Sequence, residues 1–297
     1  MEKQLSIINE KIELLSKDPH FQYGYEKFKS SGIIADINNL AGIMLKPESF
    51  ISGKAISIVN FYVNSGFRVI NFKKIIISKN DLLCFYFYPL HSATIERLEL
   101  LELWATNNYF IFILLENKNY DNRFASSSTY ATILKGHSNK DKVDKNSLRF
   151  KLCKPIGILN YLHTSDESID LIRDISIVLD KSELNNLTHW LQNTDNKDAE
   201  LIDEINKLKP QNIISEFTYE NSIENIKVLL QDINTESFNL KLKELENTGQ
   251  WSVFFTYLES LNINVTYWDK IIISSANVKL YRYESKPRVP SIISYLD

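Results

Sequence analysis

Hydrophobic residues recur along this chain in two rhythms, and the places where the rhythm changes mark out its elements. Over residues 2–15, Leu5, Ile8, Ile12 and Leu15 fall three and four apart, which puts them on one face of a helix. Lys17-Asp18-Pro19 reads as the turn that ends it, because a residue before proline is pushed out of helical geometry. A polar connector through Ser30, Ser31 and Gly32 follows. Residues 40–45 form a short, wholly apolar run halted by Lys46-Pro47, as expected of a buried strand that enters a turn. Ala55, Ile58, Val59, Tyr62 and Val63 return to helical spacing, and Gly66 stands where that helix should stop. Residues 67–77 are rich in β-branched side chains and predict a second strand, 95–104 a helix, and 109–115 a third strand. That third run is apolar throughout, so it belongs in the middle of its sheet. A short helix is expected over 130–134 and a fourth strand over 150–159. Ser165-Asp166-Glu167 then supplies a cap and an acidic first turn for a helix reaching Leu179.

Strand and helix thus alternate four times between about residues 38 and 180, which suits an α+β sandwich with one face of its sheet covered. Beyond Asp180 acidic side chains outnumber basic ones, whereas the preceding part is nearly balanced. Helical patterns follow at 199–208, 222–230, 238–245 and 250–261, and strand-like runs at 270–274 and 278–283. The expected organisation is an N-terminal helix and connector over 1–37, an α+β domain over 38–180, and a smaller, mainly helical domain over 181–297.

Bulk properties narrow the class. A chain of 297 residues is long for one domain and about right for two. With 44% hydrophobic and 24% charged residues, it has neither the low hydrophobicity nor the high net charge of a disordered chain. Its formal charge of −3, with lysine and arginine dispersed, argues against a nucleic-acid partner. Cys84 and Cys153 lack metal-ligand spacing and read as core thiols in a reducing compartment. The start, Met-Glu-Lys-Gln-Leu-Ser, carries charge with no apolar run behind it, so no secretory signal is expected. The longest apolar stretches fall far short of the ~20 residues that span a bilayer. A soluble, cytoplasmic protein without a membrane partner is the expectation.

Of the five histidines, His20, His91 and His189 sit in contexts that suit exposed or locally bonded side chains. His163 differs. It lies in Asn160-Tyr-Leu-His163-Thr-Ser165-Asp166, between the predicted fourth strand and the capped helix. A helix N-terminus offers unpaired N–H groups to a phosphate, so a histidine just before it could accept a phosphoryl group with the Ser165 hydroxyl in reach. Asp174 follows eleven residues later, and an imidazole that attacks through one nitrogen needs the other held.

Several further segments, in order, resemble the nucleoside diphosphate kinase family. Leu45-Lys46-Pro47-Glu48, Gly53 to Asn64, and Gly66-Phe67-Arg68-Val69 are similar to its Lys-Pro-Asp strand end, helix and Gly-Phe-(Arg/Lys) strand entry. Gly136-His-Ser138-Asn139 resembles its Gly-x-Thr-Asn-Pro loop, and Ser147-Leu148-Arg149 its Thr-Ile-Arg segment. Asn160 to Asp166 resembles Asn-x-x-His-Gly-Ser-Asp. The likeness runs over about 145 residues with nearly the family's spacing. It implies a ferredoxin-like βαββαβ domain of the nucleoside diphosphate kinase type over 38–180, followed by the helical C-terminal domain.

The resemblance also implies roles. His163 would become phosphohistidine, Asp174 would replace the family's orienting glutamate, and Lys46 would meet the phosphates. Asn160 would bind sugar hydroxyls, Arg149 and Ser138 phosphate oxygens, and Ser165 would hydrogen-bond beside the reacting centre. The implied ligands are ATP or another nucleoside triphosphate with Mg2+ carried on its phosphates, and a nucleoside diphosphate or a specialised phosphorylated small molecule as acceptor. A homo-oligomer is implied as well. The chain departs from the pattern at Thr132, where the family has a phosphate-clamping arginine, and at Lys140 and Thr164. A segment for stacking the base has no clear counterpart. Two other readings stay open: a nucleotide-binding sensor with weakened catalysis, and an effector whose C-terminal part carries the activity.

Overall fold

The computed structural model describes residues 5–106, 108–117, 120, 124–137, 142–152, 156–192, 195–210, 213–214, 217–230, 235–282, 289 and 291–296. In chain order its elements are α1 (Asn9–Leu15), α2 (Pro19–Ser30), β1 (Leu40–Leu45), α3 (Pro47–Ile51), α4 (Ala55–Asn64), β2 (Phe67–Ile76), α5 (Lys79–Phe85), α6 (Phe87–Leu90), α7 (Ile95–Ala105), β3 (Tyr109–Asn117) and α8 (Ser127–Lys135). There follow α9 (Leu148–Lys151), β4 (Leu162–Thr164), α10 (Ser168–Val178), α11 (Lys181–Asn185), α12 (Leu187–Gln192), α13 (Asp198–Leu208), α14 (Tyr219–Leu230), α15 (Thr235–Thr248), α16 (Trp251–Ser260), α17 (Tyr267–Asn277) and α18 (Ile292–Leu296).

The four strands form one antiparallel sheet in the order β2-β3-β1-β4. β3 and β1 lie in the middle and are buried on both faces, which is why they read as unbroken apolar runs. Side chains alternate across the sheet. Ala41, Ile43 and Leu45 join the core formed with Ile58, Val59 and Tyr62 of α4 and Ala131 of α8. Leu40 and Met44 face the other way, into the core with Leu171, Ile172 and Ile175 of α10 and with Phe21 and Phe28 of α2.

The helices beyond Asp180 pack on both faces. Leu201 and Ile205 of α13 enter the first core, while α14, α16 and α17 contribute Ile226, Phe254, Phe255 and Ile272 to the second. The Trp251 Nε1–H donates to Glu96 O at 2.9 Å and the Tyr267 hydroxyl to Leu103 O at 2.8 Å, tying α16 and α17 to α7. No helix among the described residues is long and apolar enough to cross a membrane.

Four expectations are corrected. Residues 150–159 do not form the fourth strand: Ser147 caps the short helix α9, and an Ile156–Leu159 bridge closes a turn. The fourth strand is β4, three residues further along. Pro19 does not end a helix but begins one, because proline suits a first helical position and the Asp18 carboxylate caps it, accepting from His20 N and Phe21 N. The run 270–274 is helical, inside α17, with Thr266 as its cap; burial of Ile271, Ile272 and Ile273 overrides their strand propensity. Residues 278–282 form no strand beyond one bridge between Tyr281 and Ala93.

Candidate functional site

His163 sits in β4, opposite Met44 of β1, and so projects toward the α10 face of the sheet. Its Nε2 lies 3.0 Å from Asp174 Oδ2 on α10. The same carboxylate oxygen accepts from the Ser165 hydroxyl at 2.8 Å. A carboxylate acceptor makes Nε2 the protonated nitrogen of the neutral ring. Nδ1 then carries the free lone pair, and no hydrogen bond reaches it among the described residues. The histidine side chain is 27% exposed and the aspartate 6%, so one end of the pair opens outward while the other is fixed in the protein.

Close packing makes this placement exact. Gly42 of β1 lies beneath Ser165, where a Cβ would stand 2.8 Å from Ser165 Oγ and 2.7 Å from Leu171 Cδ1. Only glycine lets α10 and the Ser165 hydroxyl come so near the sheet. Arg173, next to Asp174, donates to Cys84 O at 2.5 Å and Phe85 O at 3.2 Å and pairs with Asp18 at 2.9 Å. It thereby holds the end of α5, where Phe85 and Tyr86 stand edge-on to the imidazole with centroids at 4.8 and 6.1 Å.

Lys46 follows β1 on the same face. Its ammonium is buried and donates to Asn160 Oδ1 at 2.7 Å, with the rings of Trp104 and Tyr86 at 5.3 and 5.9 Å. Burial pushes its pKa down to about 8. The turn that presents Asn160 is held by Glu48. One oxygen of that buried carboxylate accepts from Asn160 N and Tyr161 N, and the other accepts from the Trp104 Nε1–H. Tyr161 has φ 66°, a left-handed conformation that a bulky residue keeps only where its surroundings hold it. Lys46 N donating to Tyr161 O completes that hold.

Arg149 on α9 donates from Nη1 to Gly136 O at 2.7 Å, while its buried Nε has no partner. Burial lowers its pKa. The approach of α9 depends on Gly136, at φ 93°, where a Cβ would meet Ser147 at 2.5 Å. Six of the seven expected site residues have therefore been placed. Ser138 lies outside the described residues, as do Asn139, Lys140 and Cys153. Cys84 is a free thiol.

The expected phosphate seat at a helix N-terminus is corrected. His163 lies within a strand, and the helix begins at Ser168 rather than at the Ser165 cap. Its first turn carries Glu167 and Asp170, both paired with the buried ammonium of Lys11, and Ile169 N is taken by Leu5 O. Carboxylates and an occupied N–H leave no room there for an anion.

Thr132 is fully buried, its hydroxyl 2.8 Å from that of Thr164 and donating to Ser165 O at 3.3 Å. One turn later on α8 comes a residue the sequence reading passed over. Lys135 is buried, its ammonium donates to Thr164 Oγ1, and burial lowers its pKa to about 7. The only signal for it was a lysine in the last turn of an amphipathic helix, which is commonplace.

No protein-family model and no curated protein matches the sequence. Among solved structures, the chain is similar to the nucleoside diphosphate kinase of Aquifex aeolicus at 18% identity and a TM-score of 0.39, over 49% of this chain and 97% of that one. It is also similar to the nucleoside-diphosphate kinase from Borrelia burgdorferi, solved as a transition-state mimic with bound vanadate and ADP, at 16% identity and a TM-score of 0.43, over 54% of this chain and 95% of that one. Neither overlap assigns a role to any residue here.

Proposed function

We propose that this protein is a phosphotransferase that moves the terminal phosphate of a nucleoside triphosphate through His163 to a nucleoside diphosphate or a specialised phosphorylated acceptor. The observation that carries this reading is the imidazole held at Nε2 by Asp174, with Nδ1 free beside buried cations. The Nδ1 lone pair attacks the terminal phosphorus, the N–P bond forms, and the bond to the bridging oxygen breaks to release the diphosphate. Nε2–H stays on Asp174, whose carboxylate offsets the positive charge that spreads through the ring. The acceptor's oxygen then attacks the same phosphorus and regenerates the neutral histidine.

Phosphoryl transfer asks the protein mainly for positioning and compensation of charge, which Lys46 and Arg149 are placed to give. Asn160 stands between Lys46 and the solvent side of the turn, where it suits sugar hydroxyls. Among the described residues there is no cluster of three metal-ligating side chains, so the site fits a Mg2+ ion brought in on the phosphates rather than caged by protein. Such an ion would supply further neutralisation of phosphate charge. The antiparallel order β2-β3-β1-β4 is compatible with a ferredoxin-like arrangement, and the His163–Asp174 contact with the role the motif resemblance implies.

The test is transfer from ATP to a panel of nucleoside diphosphates with both substrates varied. A two-step exchange gives parallel lines in reciprocal plots, and His163→Ala abolishes transfer. Intersecting lines, or transfer that survives in His163→Ala, would remove the reading.

A further inference from the structure

Lys135 is a positive charge in an unusual position. It is about nine-tenths buried, yet its ammonium makes one hydrogen bond among the described residues, to the Thr164 hydroxyl. A hydroxyl accepts one N–H but carries no charge to neutralise the cation, and two N–H groups remain unused. Burying an unpaired ammonium costs several kcal/mol or shifts its pKa, so proteins rarely tolerate one without a ligand for it. Asp166 acts on Lys135 through space but forms no ion pair with it; its carboxylate accepts from Ile292 N.

The neighbours of Lys135 deepen the anomaly. Arg149 and Lys46 both depress its pKa, and Arg149 likewise depresses that of Lys46, so three positive charges lie close enough to repel one another. They come from separate elements: Lys46 from the end of β1, Lys135 from the end of α8, and Arg149 from α9. None makes an ion pair with a carboxylate among the described residues. Arg149 adds a second buried donor without a partner, its Nε. Thr164, which holds Lys135, is the residue after His163. Successive residues of a strand face opposite ways, and β4 is a three-residue edge strand. Only that edge separates the Lys135 ammonium from the imidazole.

We infer that Lys135 is a polyphosphate-binding residue, which completes with Lys46 and Arg149 a cationic seat for a phosphate chain lying over the edge of β4, its end at His163. This rests on the phosphotransferase reading for what the chain is attached to, but not for the seat itself. The fully buried Thr132 cannot reach outward, and Lys135, one turn on, brings a cation to the site in its place. An anion bound there takes the unused N–H groups in charge-assisted hydrogen bonds and removes the mutual repulsion.

The probe is inorganic tripolyphosphate, which has the charge of the chain and no nucleoside. Its binding to the full chain is titrated calorimetrically in the unsubstituted protein, Lys135→Met, Lys135→Arg and His163→Ala, with melting temperature recorded for each. Lys135→Met is expected to weaken binding by about tenfold or more while melting no lower, and Lys135→Arg to stay within a few-fold of the starting affinity. Should Lys135→Met not fold, Lys135→Arg against Lys135→Gln reads the same contrast. Equal affinity in the Met or Gln variant, or no binding to the unsubstituted protein, would overturn the inference. The two readings separate cleanly. Loss of binding in Lys135→Met without a phosphohistidine on His163 keeps the seat and removes the transferase; a phosphohistidine with unaltered tripolyphosphate affinity in Lys135→Met removes the seat alone.

Discussion

Two lysines are buried in this protein within reach of β4 and α10, and their surroundings are opposite. Lys11 ties the N-terminal segment to the first turn of α10, with Glu167 and Asp170 at 3.0 and 2.9 Å. Burial opposes its charge, but Asp170, Asp166 and Glu167 outweigh that and raise its pKa. Lys135 has a hydroxyl for a partner, cations for neighbours, and a pKa brought down to about 7. Both are lysines in the interior, so composition and burial do not distinguish them; their partners do. A cation matched by carboxylates is part of the fold. A cation left unmatched is stabilised only by something that is not part of the chain. The acid side chains of α10 divide the same way: Glu167 and Asp170 are spent on Lys11, while Asp174, one turn beyond Asp170, is committed to His163.

That division can be broken at either end, and the largest effect is expected at Asp174. Asp174→Asn keeps the shape but not the charge that fixes the ring, so phosphorylation of His163 by ATP should slow by roughly 10²–10⁴-fold, with little change in tripolyphosphate affinity. A rapid-quench time course reads the rate; an unaltered rate would mean that Asp174 does no more than pack. Lys11→Met leaves buried carboxylates without a counter-ion, and urea unfolding should show a loss of about 3–5 kcal/mol. A loss below about 1 kcal/mol would place Lys11 with Lys135 rather than against it. Gly42→Ala forces a Cβ against Leu171, Ser165 and Phe112, at a cost of about 1–3 kcal/mol, and should slow phosphorylation because Ser165 is displaced. A variant as fast and as stable as its parent would show that α10 can retreat freely.

The smallest effect separates the lysines by pH. A lysine whose folded pKa is depressed to about 7 penalises the fold below that pH, and the penalty fades as pH rises toward the unfolded value near 10.5. Lys135→Met should therefore be more stable than its parent at pH 6–7, with the advantage shrinking by pH 9. Lys11 has a raised pKa, so its contribution is fully present below about 10.5 and does not change across that window. A stability difference for Lys135→Met that is flat from pH 6 to 9 would contradict the assignment of an unpaired charge. In the same range, tripolyphosphate should bind less tightly as pH climbs through 7 to 8 and Lys135 and Lys46 lose their protons.

Much of this architecture was legible because burial imposes a period. β1, β3, α4, α7 and the helices from α13 to α16 each carry an apolar pattern long enough to read, and the His163, Asn160, Lys46 and Arg149 strings pointed to one site. The failures have physical causes. β4 has three residues, too few for any pattern, so the apolar stretch before it drew the strand to the wrong place. Pro19 was read as a terminator when Asp18 makes it a starter, and three consecutive isoleucines in α17 look like a strand until the core they fill is known. Lys135 was invisible because nothing local separates a solvated lysine at a helix end from one turned inward; only Thr164, 29 residues away, reveals it.

The central claim is that His163 Nδ1 carries the phosphoryl group. The most direct measurement is to incubate the protein with ATP and Mg2+, quench in alkali, and examine it by 31P NMR and by mapping of the phosphorylated peptide. The account predicts an acid-labile, alkali-stable phosphate on His163, substituted at Nδ1 and discharged when a competent acceptor is added. A protein that binds ATP but shows no phosphohistidine, or shows it at another residue or at Nε2, would contradict it.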